Sequence, residues 1–224
     1  MKRVIIIIII TIISVSVNGQ NHFLGIKGGV NWANISESDF IDNTDYRTGL
    51  AVGVTYDYNF KKYFSTGIDI IYDQRGFRDK VIFTDQIGIP LNKEMVLEYN
   101  YDYIAIPVKI GFNYGEKIYG FANAGITPAI VVNGKHIIPS FEIEGTEIPK
   151  VTENVANKVN RFDIGGFIEI GAGYKFKDRY CVFTSVSYQH SFTNITNPNY
   201  MDGLTIKHYM INLNLGLKYA LMKG

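Results

Sequence analysis

Tyr209-Met210-Ile211-Asn212-Leu213-Asn214-Leu215-Gly216-Leu217-Lys218-Tyr219 alternates without a break between apolar and polar or small residues. Successive side chains of a β-strand point to opposite faces, so this stretch has one greasy face and one polar face along its whole length. Seven more segments read outward from it. Leu24, Ile26, Val30 and Trp32 oppose Gly25, Lys27, Gly29 and Asn31; Leu50 to Phe60 repeats the pattern with Gly49, Gly53, Asp57 and Asn59 on the other parity. Phe64, Ile68, Ile70 and Tyr72 oppose Ser65, Gly67, Asp69 and Asp73, and Ile104 to Phe112 opposes Ala105, Pro107, Lys109 and Gly111. Phe162–Phe176 sets Glu169 and three glycines on its polar face, and a seventh segment runs from Tyr180 to Phe192. Ile118 to Val132 has no decisive phase, because Tyr119 and Phe121 lie on one parity and Ile126 and Ile130 on the other.

Segments of about ten residues have the length a tilted strand needs to cross a bilayer. The connections alternate in length. Lys61-Lys62, Gly115-Glu116-Lys117 and Lys177-Asp178-Arg179 are short, whereas residues 33–47, 77–98, 133–160 and 193–206 are long and polar. That alternation predicts an all-β, eight-stranded antiparallel transmembrane barrel with short periplasmic turns and long extracellular loops. A soluble barrel would cover its outer face with Lys, Glu, Thr and Gln. Here the non-apolar positions are largely Gly, Ala, Ser and Asn, which suit a crowded lumen. Aromatics such as Trp32, Tyr56, Tyr58, Phe60, Phe64, Tyr72, Phe112, Tyr180 and Tyr219 lie near segment ends, where interface girdles are expected.

Residues 1–19 read as a signal peptide: Lys2 and Arg3 precede an apolar run from Val4 to Ile13, and Val17-Asn18-Gly19 forms a small-residue exit. The run is about ten residues, too short for a membrane helix that needs ~20. Cleavage is expected before Gln20, leaving the barrel domain 20–224 and directing it to the cell outer membrane. With Lys2 and Arg3 removed, 20 basic residues face 21 acidic ones. Nucleic acid is therefore not an expected partner, since its binding needs a clear basic excess. The single cysteine, Cys181, excludes an internal disulfide and any multi-cysteine metal site.

Projected onto the lumen, Lys27, Lys109, Lys175 and Lys218 face Asp57, Asp69, Asp163 and Glu169, four charges of each sign. Balanced charge in a narrow interior predicts a structural network that fixes packing and register. Asp69 and Asp73 share a face about 13 Å apart at ~3.3 Å per residue, too far for a carboxylate dyad within one strand. His22, His136, His190 and His208 lack zinc-binding spacing and read as solvated or interface residues. Alternation sends His190 and Ser191 to opposite faces, so they form no dyad. No hydrolase, Walker or zincin motif occurs, and the expectation is a protein with no catalytic residues, no cofactor and no metal. Pro107 predicts a local bulge or break, the glycines at 165, 166, 171 and 173 close strand packing, and Val151, Val155 and Val159 permit a short helix. Ile87-Gly-Ile-Pro90, between Val81-Ile-Phe83 and Met95-Val-Leu97, predicts a hairpin that carries two strands beyond the membrane.

Several of these stretches resemble the PorT-like outer-membrane β-barrel proteins. Leu24-Gly-Ile-Lys-Gly-Gly-Val-Asn-Trp-Ala-Asn-Ile35 is similar to that family's first strand, and Tyr103-Ile-Ala-Ile-Pro-Val-Lys109 to its Tyr-x-x-Ile-Pro strand. Phe162-Asp-Ile-Gly165 is similar to its Phe-Asp-x-Gly entry, and Tyr188 to Ile195 to its Tyr-x-x-x-Leu-Thr-Asn-Ile exit, with Phe192 in place of leucine. Ala220 to Gly224 follow Tyr219, so the chain departs from a terminal aromatic. The resemblance implies a porin-like barrel linked to maturation or export of secreted proteins. Its expected partners are outer-membrane lipid, the barrel-assembly machinery during insertion, and an envelope or secretion-system protein met through the long loops. A narrow transport or small-ligand barrel is the alternative, and a membrane enzyme the third reading.

Overall fold

The computed structural model describes residues 22–36, 43–84, 90–143, 146–177, 179–197 and 204–221; the expected signal peptide lies outside them. Twelve strands are described: β1 (His22–Ile35), β2 (Thr44–Asn59), β3 (Phe64–Thr84), β4 (Pro90–Ala105), β5 (Val108–Gly115), β6 (Ile118–Ile138), β7 (Phe141–Ile143), β8 (Thr146–Ile148), β9 (Val151–Asn154), β10 (Phe162–Phe176), β11 (Tyr180–Ser191) and β12 (His208–Ala220). Each long strand pairs antiparallel with the next around the wall, β4 and β5 sharing one stave between β3 and β6, and β6 pairing directly with β10. β12 pairs with β1 from Phe23↔Ala220 to Ile35↔His208 and closes an eight-stranded ring. Closure is what makes a sheet viable in lipid, because no strand edge is left with unpaired backbone groups.

The alternation seen in the sequence is the alternation of the wall. Leu24, Ile26, Leu50, Val52, Ile68, Ile70, Ile168, Ile170, Leu213 and Leu215 point outward and are exposed, whereas Asn31, Thr55, Asp69, Lys109, Glu169 and Asn214 are buried. Such a surface is unfavourable in water and suited to hydrocarbon. β6, whose phase the sequence leaves open, turns Ile118, Ile126, Ile130 and Val132 outward and buries Tyr119 and Phe121. The cause lies on β10. Phe121 faces Gly171 and Tyr119 faces Gly173, and a Cβ at either glycine would collide with the opposing ring. Gly216 makes the same room for Phe183. The glycines are cross-strand sockets for inward aromatics.

Pro107 produces a break and no bulge. Ala105↔Ala129 and Val108↔Ile126 lie on one continuous register, and Asp69 N–H still donates to Pro107 O at 2.9 Å. Ile106 N–H likewise donates to Pro128 O at 2.8 Å, so each proline withholds only its own missing donor.

β3, β4 and β6 run past the membrane band, with Val81↔Met95 and Ile82↔Glu94 pairing in the extended hairpin and Phe83 meeting Phe141 of the β7–β8 hairpin at 5.6 Å. Of the hairpin's apex, residues 85–89 lie outside the described residues. The expected short helix over Val151 to Val159 does not form. Residues 151–154 become β9, paired with β6 from Lys135↔Asn154 to Ile138↔Val151, because the free edge of extended β6 supplies a ladder that a two-turn helix could not match. Val155 and Val159 then turn inward and bury completely or nearly so. With Ile195 and Ile206 they cap the exterior mouth against Ile35, Phe77, Tyr101, Tyr103 and Val131. Asn160 and Asn194 knit this cap: Asn160 Nδ2 donates to Asn194 O and Thr196 O, both at 2.9 Å, and Asn194 Oδ1 accepts Ile206 N–H at 2.8 Å.

His136, one of the histidines expected to be solvated or at an interface, is half-buried. It stacks on Tyr99 at 4.3 Å, which stacks on Phe77 at 4.4 Å, in the extension beyond the membrane. Burial outweighs the nearby Glu153 and holds its pKa below the ordinary 6.5. A depressed histidine pKa means the folded extension is fully stable above about 6.5 and weakens as pH falls below it. Hydrogen exchange in β3, β4 and β6 beyond the membrane should therefore accelerate on acidification, and His136→Phe should remove that pH dependence.

Candidate functional site

The lumen is where the chemistry-bearing side chains meet, and two ion clusters divide it. Lys109 anchors the lower one from the β5 stave: its Nζ lies 3.0 Å from Asp57 and 2.8 Å from Asp69, and donates to Thr55 Oγ1 at 3.0 Å. Lys27 reaches Asp69 at 2.7 Å from β1, and Lys218 reaches Asp57 at 2.7 Å from β12. Five residues from five strands thus form one chain of ion pairs across the barrel. Glu169 stands beside it, held by hydrogen bonds, with no ion pair to a described residue: Asn123 Nδ2 donates to it at 2.6 Å and Ser185 Oγ at 2.8 Å.

The upper cluster centres on a residue that the sequence reading did not place there. Arg75, fully buried, donates to Asp73 at 2.8 Å through Nε and to Asp163 at 2.6 Å through Nη1, with its guanidinium 4.3 Å from the Tyr103 ring. Asp163 also accepts Ser191 Oγ at 2.9 Å and Thr193 Oγ1, and Asn31 Nδ2 donates to Asp73 at 2.8 Å. Asp163 therefore belongs with Arg75 and Asp73, apart from the lysines. The signal was available in parity, since Asp69, Ile71, Asp73 and Arg75 continue one face; Gln74-Arg-Gly-Phe-Arg78 merely looks like a polar loop. His208, expected to be a solvated or interface residue, is buried edge-on against Tyr101 at 5.6 Å and Tyr103 at 6.0 Å beneath the cap. A cavity of about 40 Å3 separates the clusters, lined by Lys27, Thr127, Glu169, Gln189 and Asn212 among others.

Lys175 joins neither cluster. Its Nζ stands 5.1 Å over the Tyr119 ring at the periplasmic end, and no described carboxylate lies within ion-pair distance. Lysine at that height lies among aromatic walls, with Tyr119 and Phe121 lining the same recess. Cys181 is buried beside it, sharing a 2.6 Å hydrogen bond with Tyr119 Oη. Ser191 faces the lumen while His190 lies on the outer side near Tyr188, so no serine–histidine pair is assembled. Among the described residues no three His, Cys, Asp or Glu side chains group as a metal site. Chemically, the arrangement is carboxylates held by cations and amides, which neutralises charge where water is scarce.

A closed ring with an apolar outer band, aromatic rims and a charge-filled lumen defines an outer-membrane β-barrel. The sequence pattern of the outer membrane protein β-barrel domain matches residues 18–197, and the chain belongs to that family. No curated protein matches the chain in sequence. Among solved structures it is similar to Neisserial surface protein A at 8% identity and TM-score 0.48, covering 89% of this chain and 97% of that one. OprG from Pseudomonas aeruginosa matches at 11% identity and TM-score 0.44, covering 93% and 100%. The outer membrane protease OmpT from Escherichia coli matches at 10% and 0.48, covering 93% and 99%.

Proposed function

We propose that this barrel is a non-catalytic structural or interaction component of the cell envelope, exported by a signal peptide cleaved before Gln20. It presents its exterior extension to another envelope or secretion-system protein, a role in keeping with the PorT-like resemblance. The observation that carries this reading is the division of the molecule. β3, β4 and β6 project past the membrane band and end in hairpins with exposed apolar side chains such as Ile82 and Val151, while the cap over the exterior mouth and the two ion clusters fill the lumen. Exposed apolar surface suited to a protein partner lies on the exterior extension, and the exterior mouth of the lumen is closed by the cap. Its other contacts are outer-membrane lipid and, during insertion, the barrel-assembly machinery.

Heat-modifiable migration of the native protein from isolated outer membranes tests the folded state first. Photo-crosslinkers at positions 82 and 151 should then capture a discrete envelope protein, and one at Tyr114 on the opposite rim should not. Equal labelling from both rims, or none from the exterior, would count against the proposal. A narrow transport barrel is the second reading, favoured by the open periplasmic end, and a steady ion-selective conductance in planar bilayers would replace the first reading with it.

A further inference from the structure

The periplasmic end of the lumen opens into a recess of about 70 Å3, enough for several waters or a small solute. Its lining is electrostatically one-sided. Among the described residues Lys62, Lys175 and Lys218 line it against one carboxylate, Asp57, and Asp57 is already engaged by Lys218 at 2.7 Å and by Lys109 at 3.0 Å. Glu169, the next acid inward, is occupied by Asn123 and Ser185. Lys175 and Lys62 are left with rings in place of described carboxylates: Lys175 Nζ lies 5.1 Å from the Tyr119 centroid and Lys62 Nζ 5.2 Å from that of Tyr63. Lys218 is held in place over Phe183 at 4.2 Å as well as by Asp57. Deeper in the lumen, Lys27 and Lys109 are matched in number by Asp69 and Glu169, and Arg75 stands against two carboxylates, Asp73 and Asp163, so among the described lumen residues the excess positive charge lies at this end. Low-dielectric walls focus such a field into the concavity.

We propose that this recess binds a small free anion of the periplasm, a phosphate- or carboxylate-bearing solute, with Lys175 and Lys62 as the contacting cations and Lys218 as the buried positive base of the site. Lysine suits the task because its ammonium acts as a mobile point charge with three donors. The site stands apart from the exterior docking proposed above, at the opposite end of the barrel, and either can fail without the other.

The test is calorimetric titration of the folded full chain with inorganic pyrophosphate, in a zwitterionic detergent at low ionic strength. Wild type should show saturable binding at one site per barrel. Lys175→Gln should weaken it by about tenfold, equivalent to roughly 1.4 kcal/mol, and the Lys62→Gln/Lys175→Gln pair should abolish saturation. Lys150→Gln, on the exterior loop, should change nothing. Neither Lys62 nor Lys175 is in an ion pair with a described residue, and unchanged heat-modifiable migration will show that each variant folds. Absence of saturable heat in wild type, or an equal loss in Lys150→Gln, would overturn the proposal. Repeating the titration in phosphatidylcholine nanodiscs with and without phosphatidylglycerol separates the sources of the anion: a free-solute site binds pyrophosphate alike in both, and binding lost only in the anionic bilayer would assign the recess to lipid headgroups instead.

Discussion

Arg75→Ala is expected to destabilise the barrel by about 3–5 kcal/mol, the cost of removing one partner from a buried ionic network. The guanidinium is the sole cation within ion-pair distance of Asp73 and Asp163 among the described residues, and without it two buried carboxylates face each other. Urea unfolding in lipid vesicles, followed by the loss of heat-modifiable migration, should show a lower midpoint. Charge is the cause, so the triple variant Asp73→Asn/Arg75→Met/Asp163→Asn should recover most of the loss, because replacing a whole buried network costs far less than orphaning half of it. If Arg75→Ala and the triple variant were equally unstable, the cluster would matter through its shape and its packing on Tyr103, and the electrostatic account would be wrong.

Leu215→Arg addresses the opposite face of the same wall. Leu215 is 63% exposed, in register with Gly28 on β1 and Thr184 on β11, near the middle of the apolar band. An arginine at the bilayer midplane of a barrel costs about 2–4 kcal/mol, whereas at a site bathed in water the same change stays within about 0.5 kcal/mol. Val151→Arg, on the exterior strand β9, supplies the aqueous reference. The difference between the two in vesicle unfolding measures whether lipid contacts the wall. Equal effects would contradict a membrane-embedded outer face.

Much of the fold was legible from residue types alone. The Leu213–Leu217 and Leu24–Trp32 alternations name their own faces, and Lys27, Asp57, Asp69, Lys109 and Lys218 fall inward by parity. Glu169 and Asp163 also lie inward, but in company that parity does not specify. Arg75 was hidden because β3 runs to Thr84, well beyond a membrane-crossing length, so its polar stretch resembles a loop. Val155 and Val159 were hidden because a four-residue repeat is compatible with a helix, whereas the open edge of β6 draws residues 151–154 into a strand.

Alternation is a local property: each side chain's face follows from the backbone geometry of its own strand, so one sequence determines the staves, the turns between them, the ladder break at Pro107 and the apolar outer band. Partnership is not local. Whether Tyr119 and Phe121 point in depended on glycines some fifty positions away on β10, which cation holds Asp163 depended on a register between distant strands, and the cap over the exterior mouth depended on the β9–β10 and β11–β12 loops meeting above the lumen. Those choices are made by steric fit and by charge pairing across the closed ring, and only the tertiary structure brings the choosing residues together.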